Sequence, residues 1–163
     1  MLRSLLLVSL AGALALLASC ATNREPDPIW VEAEVSAPSQ RVLGTLVENA
    51  LLRQNFAIGL GMDPAALKAT SQWHMVLQPF SGMGYRERAE VAWRPLEGGQ
   101  RWIVQVRVQK QENQAIANPT DPRYAEWEWV PDDVDAAREL LMRIRSTLGS
   151  ELELRSEAAR SLR

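Results

Sequence analysis

Residues 29–35 alternate apolar and polar side chains, which predicts a strand with Val31, Ala33 and Val35 on one face. After Pro38-Ser39 the period lengthens. Val42, Leu43, Leu46, Val47, Ala50 and Leu51 recur three and four residues apart, so a helix is expected to about Gln54. Residues 56–58 form a short apolar stretch, and residues 59–71 read as turns with a helical-turn signal at Asp63-Pro64. Alternation returns over residues 73–80, where Trp73, Met75 and Leu77 share a face and Pro79 marks the end of the strand.

The strongest pattern follows. Two alternating runs, residues 85–93 and 101–111, flank Gly98-Gly99, a pair suited to a tight turn with positive φ. A hairpin centred on that pair sets Ala89 opposite Val108, Val91 opposite Val106 and Trp93 opposite Val104 on one face. It also brings Glu90 to Arg107 on the other face and Glu87 to Lys110 near the open end. Apolar pairs and opposite charges thus match in one register, as cross-strand energetics favours.

Residues 125–130, AEWEWV, predict one more strand with Ala125, Trp127 and Trp129 on its inner face. Asp132-Asp133 then opens a long helix, since acidic residues suit the positive end of a helix dipole. Its stripe is Val134, Ala137, Leu141, Ile144 and Leu148, and Gly149 closes the packed section. A helix laid on a sheet suits this stripe better than a coiled-coil seam, which two heptads are too short to define. The element order predicts an α+β fold: a two-layer arrangement of an antiparallel sheet with two helices packed on one face. That order resembles the helix-grip modules of some periplasmic lipoproteins, a likeness that implies a fold and carries no function.

The first twenty residues follow a different logic. Arg3 precedes an apolar run over residues 5–17, and small residues come next, which is the layout of a secretory signal. The run is shorter than the roughly 20 residues of a membrane-spanning helix. Its end, Leu17-Ala18-Ser19-Cys20, resembles the lipobox of bacterial lipoproteins. The resemblance implies a diacylglycerol thioether on Cys20, cleavage before it, and an acylated new amino terminus. Such double or triple acylation gives stable attachment, because each buried methylene contributes about 0.8 kcal/mol. Ala21, standing where Asp commonly marks inner-membrane retention in Gram-negative lipoproteins, implies the outer membrane, with the domain facing the periplasm. In organisms without an outer membrane the expected location is the cell membrane.

The expected organisation is a signal peptide at 1–19, a lipidated tether at 20–28, a single domain at 29–149 and a charged tail at 150–163. The mature part holds 17 basic and 20 acidic residues, which gives no footprint for nucleic acid. Cys20 is the chain's one cysteine, so disulfides cannot support the fold, and six tryptophans are expected to supply much of the core.

Candidate chemistry is sparse. His74 is the single histidine and reads as a partly exposed strand residue without a catalytic partner motif. Gly59-Leu60-Gly61 and Gly82-Met83-Gly84 each lack the third glycine of a nucleotide fingerprint and read as turns. No metal ligand set, no cofactor motif and no catalytic constellation is expected. Arg86, Arg88, Arg94, Arg101 and Arg107 fall on the predicted outer face of the hairpin. They are either a solvated face with a Glu90–Arg107 pair or a site for anionic headgroups and lipopolysaccharide phosphates, which arginine grips in bidentate fashion. Residues 113–123, centred on Asn118-Pro119-Thr120-Asp121-Pro122, read either as a loop that carries partner contacts or as a disordered connection. The expected function is a membrane-anchored, non-enzymatic accessory or interaction module of the cell envelope. Its expected partners are the membrane through Cys20 and an envelope protein, and the alternative is a lipid- or lipopolysaccharide-binding protein.

Overall fold

The computed structural model describes residues 23–161, with side chains given outside residues 60–62 and 150–161. The expectations for Cys20, the signal peptide and Ala21 lie outside the described residues. The fold is α+β. Among the described residues seven antiparallel strands, β1 (Val31–Ser36), β2 (Ile58–Asp63), β3 (Lys68–Ser71), β4 (His74–Val76), β5 (Tyr85–Pro95), β6 (Arg101–Asn113) and β7 (Trp127–Val130), form one sheet. Two α-helices there accompany it, α1 (Gln40–Arg53) and α2 (Val134–Ser161).

The long hairpin of β5 and β6 is the spine. Its register is the expected one, with Ala89 opposite Val108, Val91 opposite Val106 and Trp93 opposite Val104. The turn is wider than two residues: Leu96 N donates to Arg101 O at 2.8 Å and Gly99 N to Leu96 O at 3.2 Å. Gly98 (φ 91°) and Gly99 (φ 70°) stay at its centre, so the wider loop leaves the pairing unchanged.

Shorter strands flank this spine end to end. β1 pairs with β6 from Val106 to Arg101, and β7 pairs with the far end of β6, from Lys110 to Asn113. On the opposite edge, β3 lies against residues 90–92 of β5 and β4 against residues 85–87. Ser71 fills the junction between β3 and β4 by accepting Ala89 N through its hydroxyl at 2.9 Å.

One core joins both helices to one face of this sheet. Leu43, Val47, Leu51, Leu140 and Ile144 bury themselves with Ala89, Val91, Val104, Val106 and Val108. α1 begins where Ser39 Oγ accepts Val42 N, and α2 begins where Asp133 Oδ1 accepts Ala136 N. Helix α2 runs on to Ser161, past Gly149, where the apolar stripe had set the end of the packed section.

Residues 58–71 differ from the expected turns. They fold as a second hairpin, β2–β3, in which Asp63 Oδ1 accepts the N–H groups of Ala65 and Ala66. The pairing carries a bulge between Ile58 and Gly61, and a Cβ on Gly59 would lie 2.9 Å from Gln72 N. Glycine is there for close approach, so Gly59-Leu60-Gly61 lies within a strand. The strand expected over residues 73–80 shortens to His74–Val76.

Candidate interaction face

The second face of the sheet holds most of the polar and aromatic side chains that the core leaves over. Strand pairing fixes its membership. Arg86 and Arg88 lie opposite Gln111 and Gln109, and β7 sets Trp129 beside Gln111 and Trp127 beside Asn113. Directly paired residues share a face, so Trp127 and Trp129 point away from the helices. This corrects the inner-face expectation for both. It also corrects the expectation for the core: Trp93 and Trp102 are buried in it, whereas Trp73, Trp127 and Trp129 are half-buried elsewhere.

Arginines and tryptophans interleave here. The Arg86 guanidinium carbon lies 4.7 Å from the ring centroids of both Trp73 and Trp127, and that of Arg88 lies 4.8 Å from Trp73. Trp129 meets Trp73 edge to face at 5.8 Å. Each cation over a ring face is attracted by the ring's quadrupole, more strongly as water is removed. The Nε groups are tied down as well: Arg86 donates to Gln111 Oε1 at 2.6 Å and Arg88 to Gln109 Oε1 at 2.7 Å. Burial, followed by repulsion from Arg88, lowers the Arg86 pKa. Holding like charges side by side is costly, and the aromatic faces offset that cost.

A second network continues from Gln109. Its Nε2 donates to Glu25 Oε1 at 2.5 Å, and Arg107 Nη2 donates to the same oxygen at 2.6 Å. Arg107 Nε donates to Asp132 Oδ2 at 2.6 Å, and Ile29 N donates to that oxygen at 2.8 Å. Burial works against each charge, but the mutual hydrogen bonds win: the Glu25 carboxyl is held below its ordinary range and the Arg107 guanidinium is raised. Residues 23–29 therefore lie against the fold through specific bonds. Asn23 adds two more at the open edge of β7, donating to Trp127 O at 2.6 Å and accepting Trp129 N at 3.0 Å.

The five arginines of the expected anionic site share one face but occupy three settings. Arg107 is buried and neutralised by two carboxylates, neither of them Glu90, which pairs with Lys68 at 3.1 Å. Arg101 pairs with Glu34 at the surface, and Arg94 is exposed at the hairpin end. Arg86 and Arg88 form the stacked pair, and their terminal nitrogens have no acceptor among the described residues.

On the helix side of the same sheet end the character is ionic. Lys110 Nζ lies 3.2 Å from Asp133 and 3.6 Å from Glu87, as the sequence register requires, beside a shallow pocket of about 370 Å³. Burial raises the Glu87 pKa against the pull of Lys110. Burial also opposes the Asp133 charge, but the Ala136 N–H and Lys110 outweigh it and hold that carboxyl low. A second pocket, of about 380 Å³, is lined by the start of α1, Pro64 and Trp93, whose Nε1 has no acceptor among the described residues. Among the described residues no three His, Cys, Asp or Glu side chains gather as a metal site. His74 sits opposite Glu87 on β4.

Sequence reasoning missed Trp73, Trp127, Trp129 and Glu25 as members of this face. The alternation of tryptophan with glutamate in β7 was visible, but its sign was open until β7 found its partner on β6. Compared with known protein families and with curated proteins, the chain matches none. No described helix is long and apolar enough to cross a membrane.

Proposed function

We propose that this chain is a lipid-anchored lipoprotein of the cell envelope, attached through Cys20, whose domain works as a non-enzymatic accessory or interaction module. One observation carries the reading. The segment that immediately follows the lipobox is bonded to the domain from Asn23 to Ile29, through Trp127, Trp129, Gln109, Arg107 and Asp132. An anchor on Cys20 would then be fixed relative to the Arg–Trp face, so that the face is presented in a constant orientation. A free tether would instead let the domain tumble. The stacked Arg86 and Arg88 offer cationic donors within an aromatic surround, a combination enriched at interfaces. In an Ala21 lipoprotein of the Gram-negative type, the face belongs to the periplasmic side of the outer membrane.

The test is cross-linking in intact cells followed by purification of the tagged, full-length protein from detergent-solubilised membranes. A defined envelope protein cross-linked through the face that holds Arg86 and Arg88, and lost in Arg86→Ala, is the expected result. A preparation with no cross-linked partner contradicts the interaction reading.

A further inference from the structure

We infer that the loop end of the sheet nearest residue 23 is a second membrane contact, seated in the interface of the bilayer that holds the Cys20 acyl chains. The inference rests on the lipid-anchor reading of Cys20 and goes beyond it.

Asn113 gathers this end of the molecule. Its backbone carbonyl accepts Gly82 N at 2.7 Å and its N–H donates to Gly84 O at 2.8 Å. Its side chain donates to Pro119 O at 2.9 Å and accepts Ala115 N and Glu126 N at 3.1 and 3.0 Å. The β4–β5 connection, the loop after β6 and the approach to β7 are thereby held side by side. They carry four large apolar side chains in solvent: Phe80 is 70%, Met83 62%, Ile116 89% and Tyr124 54% exposed. Gly82 places Phe80 and Met83 next to Asn113, Ile116 is three residues beyond it, and Tyr124 is three residues before its strand partner Trp127.

The chain outside the described residues says what covers this end. Asn23 is bonded to the backbone of Trp127 and Trp129, and Trp127 is the strand partner of Asn113. From Asn23 to Cys20 there are three residues, which span at most about 11 Å. The acylated sulfur is therefore confined to the neighbourhood of the exposed tip, and the hydrocarbon of the membrane comes with it. Trp127, the strand partner of Asn113, lies directly behind the tip. Apolar side chains deepest with an amphipathic aromatic ring behind them is the order of an interfacial anchor.

Cys20 is the chain's one cysteine and carries the lipid, so a single added cysteine reports its own position. Met83→Cys, Ile116→Cys and, at the opposite end of the hairpin, Glu97→Cys are made in the full-length lipidated protein. Each is labelled with an environment-sensitive fluorophore and reconstituted into phosphatidylethanolamine–phosphatidylglycerol vesicles containing lipids brominated high in the acyl chain. Blue-shifted emission, quenched by the brominated lipid at 83 and 116 and unquenched at 97, is the expected result. Vesicle-bound protein whose labels at 83 and 116 are no more quenched than at 97 overturns the tip contact and leaves the anchor standing. Protein that does not float with the vesicles refutes the anchor and the tip contact together. Labels at 83 and 116 that escape the lipid quencher but become shielded on adding solubilised envelope proteins assign the tip to a protein and overturn the bilayer contact. Loss of quenching in Phe80→Asp/Ile116→Asp protein labelled at 83 supports the apolar side chains as its cause.

Discussion

Arg107 Nη2 lies 2.6 Å from Glu25 Oε1, joining the segment before the first strand to the middle of the longest one. The other side of the same guanidinium is held by Asp132, whose side chain is 1% exposed against 7% for Arg107. An ion pair so deeply covered is expensive to break from one side. Arg107→Ala leaves the Asp132 carboxylate buried without its cation and is expected to cost about 3–5 kcal/mol in urea unfolding. Replacing both partners by apolar residues, Arg107→Met with Asp132→Leu, is expected to recover much of that loss. Equal instability of the single and double variants would contradict the assignment.

Acid should release the N-terminal segment before it unfolds the domain. Burial raises the Glu25 pKa, but the hydrogen bonds from Arg107 and Gln109 bring it below the ordinary carboxylate range. With the folded value depressed, the stabilisation from Glu25 is fully present above its unfolded pKa and lost as pH falls through the folded one. The stability gap between the natural protein and Glu25→Ala is therefore expected to close on acidification below the ordinary carboxylate range. Hydrogen exchange at the Ile29 and Trp129 amides should rise over the same window. A gap independent of pH would contradict the role given to this carboxylate.

Stacking, more than charge, is expected to hold the Arg–Trp ladder. Arg86→Ala removes two ring contacts and the bond to Gln111, an expected loss of about 1–3 kcal/mol with a change in tryptophan fluorescence. Arg86→Lys keeps the charge without the planar fork and should restore only part of both signals. Full restoration by lysine would show that planarity does not matter here.

Two glycines should respond in opposite directions to alanine. At Gly59 a Cβ would press on the Gln72 backbone at 2.9 Å, so Gly59→Ala is expected to cost about 1–3 kcal/mol as an overpacked contact. At Gly149, inside α2, a Cβ meets nothing within 4 Å, and alanine is expected to add about 0.5–1 kcal/mol through helix propensity. Thermal unfolding of both variants measures the difference, and a shared sign would contradict the β2–β3 bulge or the continuity of α2.

What could be read before folding was the part governed by local period. The β5–β6 register was legible because alternating apolar and charged positions agreed about one turn centre, and widening the loop symmetrically left that centre in place. Both helical stripes were legible for the same reason. β2 was hidden because Gly59 and Gly61 erase the alternation, and the purpose of Gly59 depends on Gln72, which only the folded chain brings near. The inner-face expectation for Trp127 and Trp129 fails because a strand's alternation is symmetric until its partner is known. The Glu25–Arg107 contact spans 82 residues and leaves no local signature. Strand pairing sets the five arginines on one face, yet their partners divide them into stacked, buried and exposed groups.

Lipid attachment at Cys20 underlies both the proposed function and the membrane-seated tip. Mass spectrometry of the amino-terminal peptide from protein purified out of membranes reads it directly. The account predicts a chain beginning at Cys20, with a diacylglyceryl thioether on its sulfur and an acyl group on its amino terminus. A peptide with an unmodified Cys20 thiol, or a mature chain beginning at any other residue, would contradict it.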